Sequence, residues 1–261
     1  MKKCLIPSLN YALVASCFLL TALSASAAIP ARAPKASMET LLRSDLASFR
    51  REKQTDFQGL IERWERVYGE SSAPSLLKIG QDKSAQDSER YVALLAHTKI
   101  RGVKNAEALL TLLDDRSWMV RSAALKSIEI LGYQPAAKKV LEHLASDPAL
   151  VIRMQSIETL VKLRPDGLAN ALVNAAMDSH NYRPGNFRTG RADWVPQKAM
   201  EALREIGAKE VTVKLLPLMN ESKDGRIRAH ALHTIEVLEN RSLKKGRPFS
   251  ERALAWNQAL R

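Results

Sequence analysis

A single apolar frame, used four times, constrains this chain more than any other feature. Between Leu109 and Gly132 it reads Val120, Ala124, Leu125, Ile128 and Leu131. It returns as Ile152, Ser156, Ile157, Leu160 and Leu163, then as Val195, Ala199, Met200, Leu203 and Ile206. The fourth copy is Ile227, Ala231, Leu232, Ile235 and Leu238. Successive copies lie 32, 43 and 32 residues apart, and the second place always holds a small residue. The spacing inside each copy is that of one helix face. A helical face repeated at this period is covered by the next copy, so the chain is expected to be an all-α solenoid.

Turn chemistry punctuates the repeats. Asn105 suits a helix start, and Asp114-Asp115-Arg116-Ser117 makes a turn with Ser117 placed to cap the helix through Leu131. Gly132 suits the left-handed residue after that helix, and Pro135 the first turn of the next. Asp147-Pro148, Arg164-Pro165-Asp166-Gly167, Gly207 and Asp224-Gly225 mark the later boundaries. Upstream, Leu76, Leu77 and the run Arg90 to Leu95 read as a degenerate first repeat, with Ala93 standing 31 residues before Ala124. Residues 37–70 carry Leu41, Leu42, Leu46 and Phe49, then Phe57, Leu60, Ile61, Trp64, Val67 and Tyr68 at helical spacing. That predicts a helical cap docked on the first repeat, with membrane-surface binding disfavoured by Glu62, Glu65 and Glu70. At the other end Ser250 is placed to cap a closing helix with Leu254, Trp256 and Leu260 on its apolar side.

The first residues read as an export signal. Lys2 and Lys3 precede an apolar run from Cys4 through Leu23, and Ala25-Ser26-Ala27 forms a small-residue cleavage site. An uncleaved anchor and a lipoprotein site at Cys17 are the competing readings. Cleavage near Ala27-Ala28 leaves a chain without cysteine, since Cys4 and Cys17 are the only two. Such a chain has no disulfide and no thiolate metal site or nucleophile, which fits an oxidising periplasm. The expected organisation is a signal peptide over 1–27, a linker over 28–36, the cap over 37–70, repeats over 71–241 and a closing helix over 242–261. The formal charge of +12 becomes +10 without the two leader lysines. That excess favours anionic partners: acidic proteins, lipid headgroups or envelope polymers. Export makes nucleic acid the less favoured partner.

One arginine carries the family signal. Arg121, Arg153 and Arg228 follow Val120, Ile152 and Ile227, with Asp115, Asp147 and Asp224 upstream. This pattern resembles the second helix of HEAT repeats, especially the short bacterial type related to phycobilisome-lyase repeats, over roughly residues 75–240. The resemblance implies a right-handed α-solenoid of about five HEAT-like helical-hairpin repeats with helical caps. It also implies that these six residues form a structural ladder between repeats. Pro196 stands where the arginine of the third copy belongs, so the ladder is expected to break there. HEAT-like folds include bilin lyases and alkylpurine DNA glycosylases, and those are the enzymatic alternatives the resemblance brings.

The break coincides with the long spacing. Eleven extra residues fall between Asp178 and Val195, in a segment without apolar periodicity that reads as a loop. Tyr182, Phe187 and Trp194 alternate there with Arg183, Arg188 and Arg191, the residue types that dominate interfaces. These six are the candidate partner-binding residues; the competing reading is a loose loop with Trp194 tucked into the core. His230 and His233 sit three apart on a helix but lack a third ligand, and Glu201 and Glu205 read as surface carboxylates. No phosphate loop, nucleophile elbow or H-E-x-x-H motif is present. The sequence therefore predicts no catalytic residue, no metal, no cofactor and no small-molecule substrate. It predicts a scaffold that holds an acidic protein on its concave second-helix face and the 179–194 insert, with an anionic envelope polymer as the alternative ligand.

Overall fold

A computed structural model describes residues 36–104 and 106–260 of the chain. The leader, the linker up to Lys35 and the expected cap at Asn105 lie outside the described residues. The described chain is helical almost throughout. Helices α1 (Met38–Arg51) and α2 (Phe57–Tyr68) form the N-terminal cap. Five helical hairpins follow, the first two being α3 (Ala73–Gln81) with α4 (Asp87–Arg101), and α5 (Glu107–Leu112) with α6 (Trp118–Leu131). Then come α7 (Ala137–Ser146) with α8 (Leu150–Leu163), α9 (Leu168–Met177) with α10 (Val195–Ile206), and α11 (Leu216–Glu221) with α12 (Gly225–Leu238). Helix α13 (Phe249–Ala259) closes the array. Among the described residues no helix is long and apolar enough to cross a membrane.

The frame residues explain the stacking. Second helices α4, α6, α8, α10 and α12 pack each against the next. The small second-place residues Ala124, Ser156, Ala199 and Ala231 are wholly buried, which lets neighbouring helix backbones approach. Cross-repeat hydrogen bonds show that the helices run parallel and in register. Ser122 Oγ donates to Gln155 Oε1 at 2.6 Å, and Gln155 Nε2 returns a bond to the Ser122 carbonyl at 3.1 Å. Thr98 Oγ1 donates to Ser127 Oγ at 2.7 Å in the same way.

At the N-terminal ends of the second helices runs the ladder. Arg121 makes a two-pronged contact with Asp147 of the next repeat, Nε and Nη2 each at 2.8 Å, while Nη1 donates to the Asp115 carbonyl at 2.9 Å. Arg153 repeats the arrangement: its Nη1 donates to the Asp147 carbonyl at 2.8 Å and its Nη2 reaches forward to Asp193 at 3.1 Å. Each guanidinium thus fixes its own turn and grips the following repeat. The first rung belongs to Arg90, which pairs with Asp115. Beyond Pro196 the pattern stops. Asp224 pairs at 2.8 Å with Arg226 of its own helix, and Arg228 is exposed with its guanidinium 5.8 Å from the Phe249 ring centre.

Three local expectations need correction. Ser117 makes no side-chain cap; the turn is held one step earlier, where Asp115 Oδ1 accepts the Ser117 backbone N–H at 2.9 Å. Helix α13 starts at Phe249, so Ser250 lies inside its first turn, and Pro248 precedes it. Its buried face is Ala253 and Trp256, while Leu254 is exposed, because Leu254 faces away from α11. Gly132 and Gly207 do adopt the left-handed conformation expected of them, with φ of 59° and 68°.

Removing Asp147 leaves Arg121 buried without its partner, so Asp147→Ala is expected to cost about 3 kcal/mol in urea unfolding. Burial by itself would raise the Asp147 pKa. The Arg121 guanidinium, the Ala149 N–H and His143 outweigh burial and hold it below the ordinary 3.8. The contribution is therefore complete above that value and fades as pH falls through the lower, folded value. In Asp147→Asn, the loss of stability between pH 5 and pH 2 should be shallower than in the parent chain.

Candidate partner-binding hairpin

The long insert between α9 and α10 is a small ordered hairpin, which corrects its reading as a loop. After a 3-10 turn at Ser179–Asn181, strand β1 (Tyr182–Arg183) pairs antiparallel with β2 (Arg191–Ala192). Sequence periodicity could not show this, because two residues per strand are too few to alternate.

Three anchors hold the hairpin. Asn181 Nδ2 donates to the Ala175 carbonyl at 2.8 Å, and its Oδ1 accepts from Arg153 Nε at 3.1 Å. The Tyr182 hydroxyl donates to the Ala176 carbonyl at 2.6 Å, so insert side chains satisfy carbonyls at the end of α9. Burial pushes the Tyr182 phenol pKa far upward, with Asp224 and Asp193 adding to the shift, and it stays a donor. Phe187 packs edge-on against Tyr182 at 6.4 Å, and its carbonyl accepts from the Lys223 N–H at 3.1 Å. Gly190 folds against the opposite strand: a Cβ there would lie 2.5 Å from the Pro184 carbonyl oxygen.

These contacts sort the six candidate residues. Tyr182 and Phe187 are buried and hold the hairpin rather than meet a ligand. Arg188 stacks 4.5 Å above Phe187 and pairs with Glu221, so its charge is already engaged. Arg183, Arg191 and Trp194 face outward, and Trp194 is 59% exposed instead of tucked into the core. Arg183 lies directly opposite Arg191 in the strand register. Neither has an ion-pair partner among the described residues, and like charges facing across strands are destabilising.

The pair opens onto a pocket of about 640 Å³ whose wall includes Lys223, Gly225 and Arg226 at the start of α12. Asp224 is its one carboxylate. Burial acts to raise the Asp224 pKa, but the Arg226 side chain and the N–H groups of Arg226 and Ala192 hold it below the ordinary carboxylate range. It stays ionised and occupied by Arg226, leaving Arg183, Arg191 and Lys223 unneutralised. The pocket thus brings together three cationic side chains that have no ion-pair partner among the described residues. Lys223 and Arg226 were missed from the sequence, since they lie beyond the insert and meet it only through the fold.

Elsewhere the surface is mixed in sign. The groove along α6, α8 and α10, about 560 Å³, is lined by Glu129, Glu158, Glu201 and Glu205 against Lys162, Arg164 and Lys198. Residue by residue it holds one more carboxylate than cation. His230 and His233 lie beside it on α12, and no cluster of three metal-ligating side chains occurs among the described residues.

Residues 73–161 match the family model for HEAT repeats. No curated protein matches the chain. Gly190→Ala should pry the hairpin strands apart without touching the repeats. Trypsin cleavage after Arg188 and Arg191 is expected to accelerate at least severalfold, while the melting temperature stays within a few degrees of the parent.

Proposed function

We propose that this HEAT-repeat protein is a non-enzymatic interaction module of the bacterial envelope, exported to the periplasm, that holds an acidic protein partner at its hairpin. HEAT repeats generally mediate protein–protein interaction and scaffolding. The observation that carries the reading is the cross-strand pair Arg183 and Arg191, two exposed arginines without an ion-pair partner among the described residues that line one pocket with Lys223. Such an arrangement costs stability in the free protein and becomes favourable when a carboxylate sits between the charges. The groove along the second helices has nearly balanced charge, with Lys126 on Glu129 and Lys198 on Glu158, which favours the hairpin as the seat of an acidic partner. Support for export comes from the leader pattern at Lys2, Lys3 and Ala25-Ser26-Ala27 and from the confinement of both cysteines to that leader. The ladder carboxylates Asp115 and Asp147 are bound by arginines and turn N–H groups, which supports a structural role for them over acid–base chemistry.

The test is capture from envelope extract by the chain beginning at Ala28, beside its Arg183→Ser/Arg191→Ser variant. Both side chains are exposed, so the variant keeps its melting temperature. A discrete acidic protein held about tenfold or more tightly by the parent supports the reading. Equal recovery by both chains overturns it. Recovery of polyanions of every kind, released by modest salt, replaces the protein partner with an envelope polymer. Arg188→Ala should matter less than either of the other two arginines, because Glu221 already neutralises it.

A further inference from the structure

We infer that the partner is an extended segment that runs from the hairpin pocket along the N-terminal edge of the second helices, with apolar side chains at about every third residue and an acidic run at the pocket end. The inference rests on the hairpin reading above and specifies the partner of that site.

One register position recurs at the start of the second helices. The residue before the first frame residue is Met119 in α6, Val151 in α8, Trp194 at the start of α10 and Arg226 in α12. Ser122 with Gln155, Lys198 with Glu158 and Arg204 with Thr234 join the second helices at depths that agree within about one turn, so the four positions recur along one edge of the stack. Val151 is 43% and Trp194 59% exposed, and Trp118, beside the half-buried Met119, is 49% exposed. Large apolar side chains are thus left in water at this place in two consecutive repeats, with Trp118 one residue off the row in the repeat before them. Isolated exposed apolar residues need no explanation, whereas an aligned row beside a charged pocket marks an interaction surface.

The row does not stop at Trp194. Its fourth member, Arg226, is a wall of the cationic pocket, so apolar track and pocket are continuous. Charge along the edge agrees. The carboxylates there, Asp115, Asp147, Asp193 and Asp224, are each held by an arginine. Arg116, Arg183, Arg191 and Lys223 are exposed without an ion-pair partner among the described residues. An acidic peptide meets no free carboxylate on this path.

Geometry sets the period of the ligand. Packed helices lie about 8–10 Å apart, and an extended chain advances about 3.3 Å per residue. One repeat therefore spans about three residues of ligand. A helical ligand, rising about 1.5 Å per residue, would need about six residues per anchor and would turn its side chains away between anchors. A strand would send every third side chain to alternate faces. An extended polyproline II segment, with about three residues per turn and about 3.1 Å per residue, keeps them on one side, so the track fits that conformation.

The experiment uses the chain from Ala28 and synthetic peptides carrying leucine at every third position next to an aspartate run, in both chain directions. A control peptide of the same composition has its leucines clustered. The readout is built in. Of the four tryptophans, Trp64 and Trp256 are fully buried, so acrylamide quenching reports mainly on Trp118 and Trp194. We expect one spaced peptide to bind and to shield both indoles, and the clustered control to bind about tenfold more weakly. Trp118→Ser and Trp194→Ser should each cost about tenfold in affinity at unchanged melting temperature. Val151→Asp should weaken the spaced peptide while leaving the aspartate run alone unaffected. Equal binding of spaced and clustered peptides, no binding of either, or parent-like affinity in the tryptophan variants overturns the inference. If in any of these cases the Arg183→Ser/Arg191→Ser variant still loses the protein captured from envelope extract, the hairpin reading stands without the track. If it too has no effect, both fall.

Discussion

Contact between a buried guanidinium and the carboxylate of the following repeat holds the rest of this structure in place. Arg121 and Arg153 are almost fully enclosed, and such charges are tolerable only when every donor finds an acceptor. Each spends one nitrogen on a carbonyl of its own turn and the others on the next repeat. That geometry fixes helix register, because an arginine one residue out of place reaches neither acceptor. Arg153 is the rung that matters most for function. Its forward acceptors, Asn181 and Asp193, both belong to the insert, so the same interaction that stacks two repeats also seats the hairpin.

The insert is thereby an ordered element with a division of labour. Tyr182, Phe187 and Asn181 face inward and replace the core that two short strands cannot make. Arg183, Arg191 and Trp194 face outward from the same few residues. The interruption at Pro196 belongs to this arrangement. With no arginine from α10 to claim it, Asp224 is bound by Arg226, which places that cation in the pocket wall. Cations without a partner consequently gather at the hairpin, whereas carboxylates and cations in the groove of the second helices nearly balance.

Much of the fold was legible because the frame repeats on one helix face and small residues recur at the closest helix contact. The first rung was not, since Glu89 stands where Val or Ile precedes the arginine in later copies; the usable signal was Arg90 standing 31 residues before Arg121. The hairpin site was legible only in composition. Nothing local distinguishes the buried Phe187 from the exposed Trp194, since that difference comes from Tyr182 and the end of α9. Lys223 and Arg226 join the pocket through a fold contact across more than thirty residues, which no motif window spans.

The column Ala124, Ser156, Ala199 and Ala231 touches no solvent and can touch no ligand. Its size nevertheless sets how closely one second helix lies against the next, and so the pitch of everything displayed along their edge. In this protein the gauge is ruled inside the core while the reading is taken at the rim. A larger side chain in the column would stretch the scale and leave every mark on it unchanged.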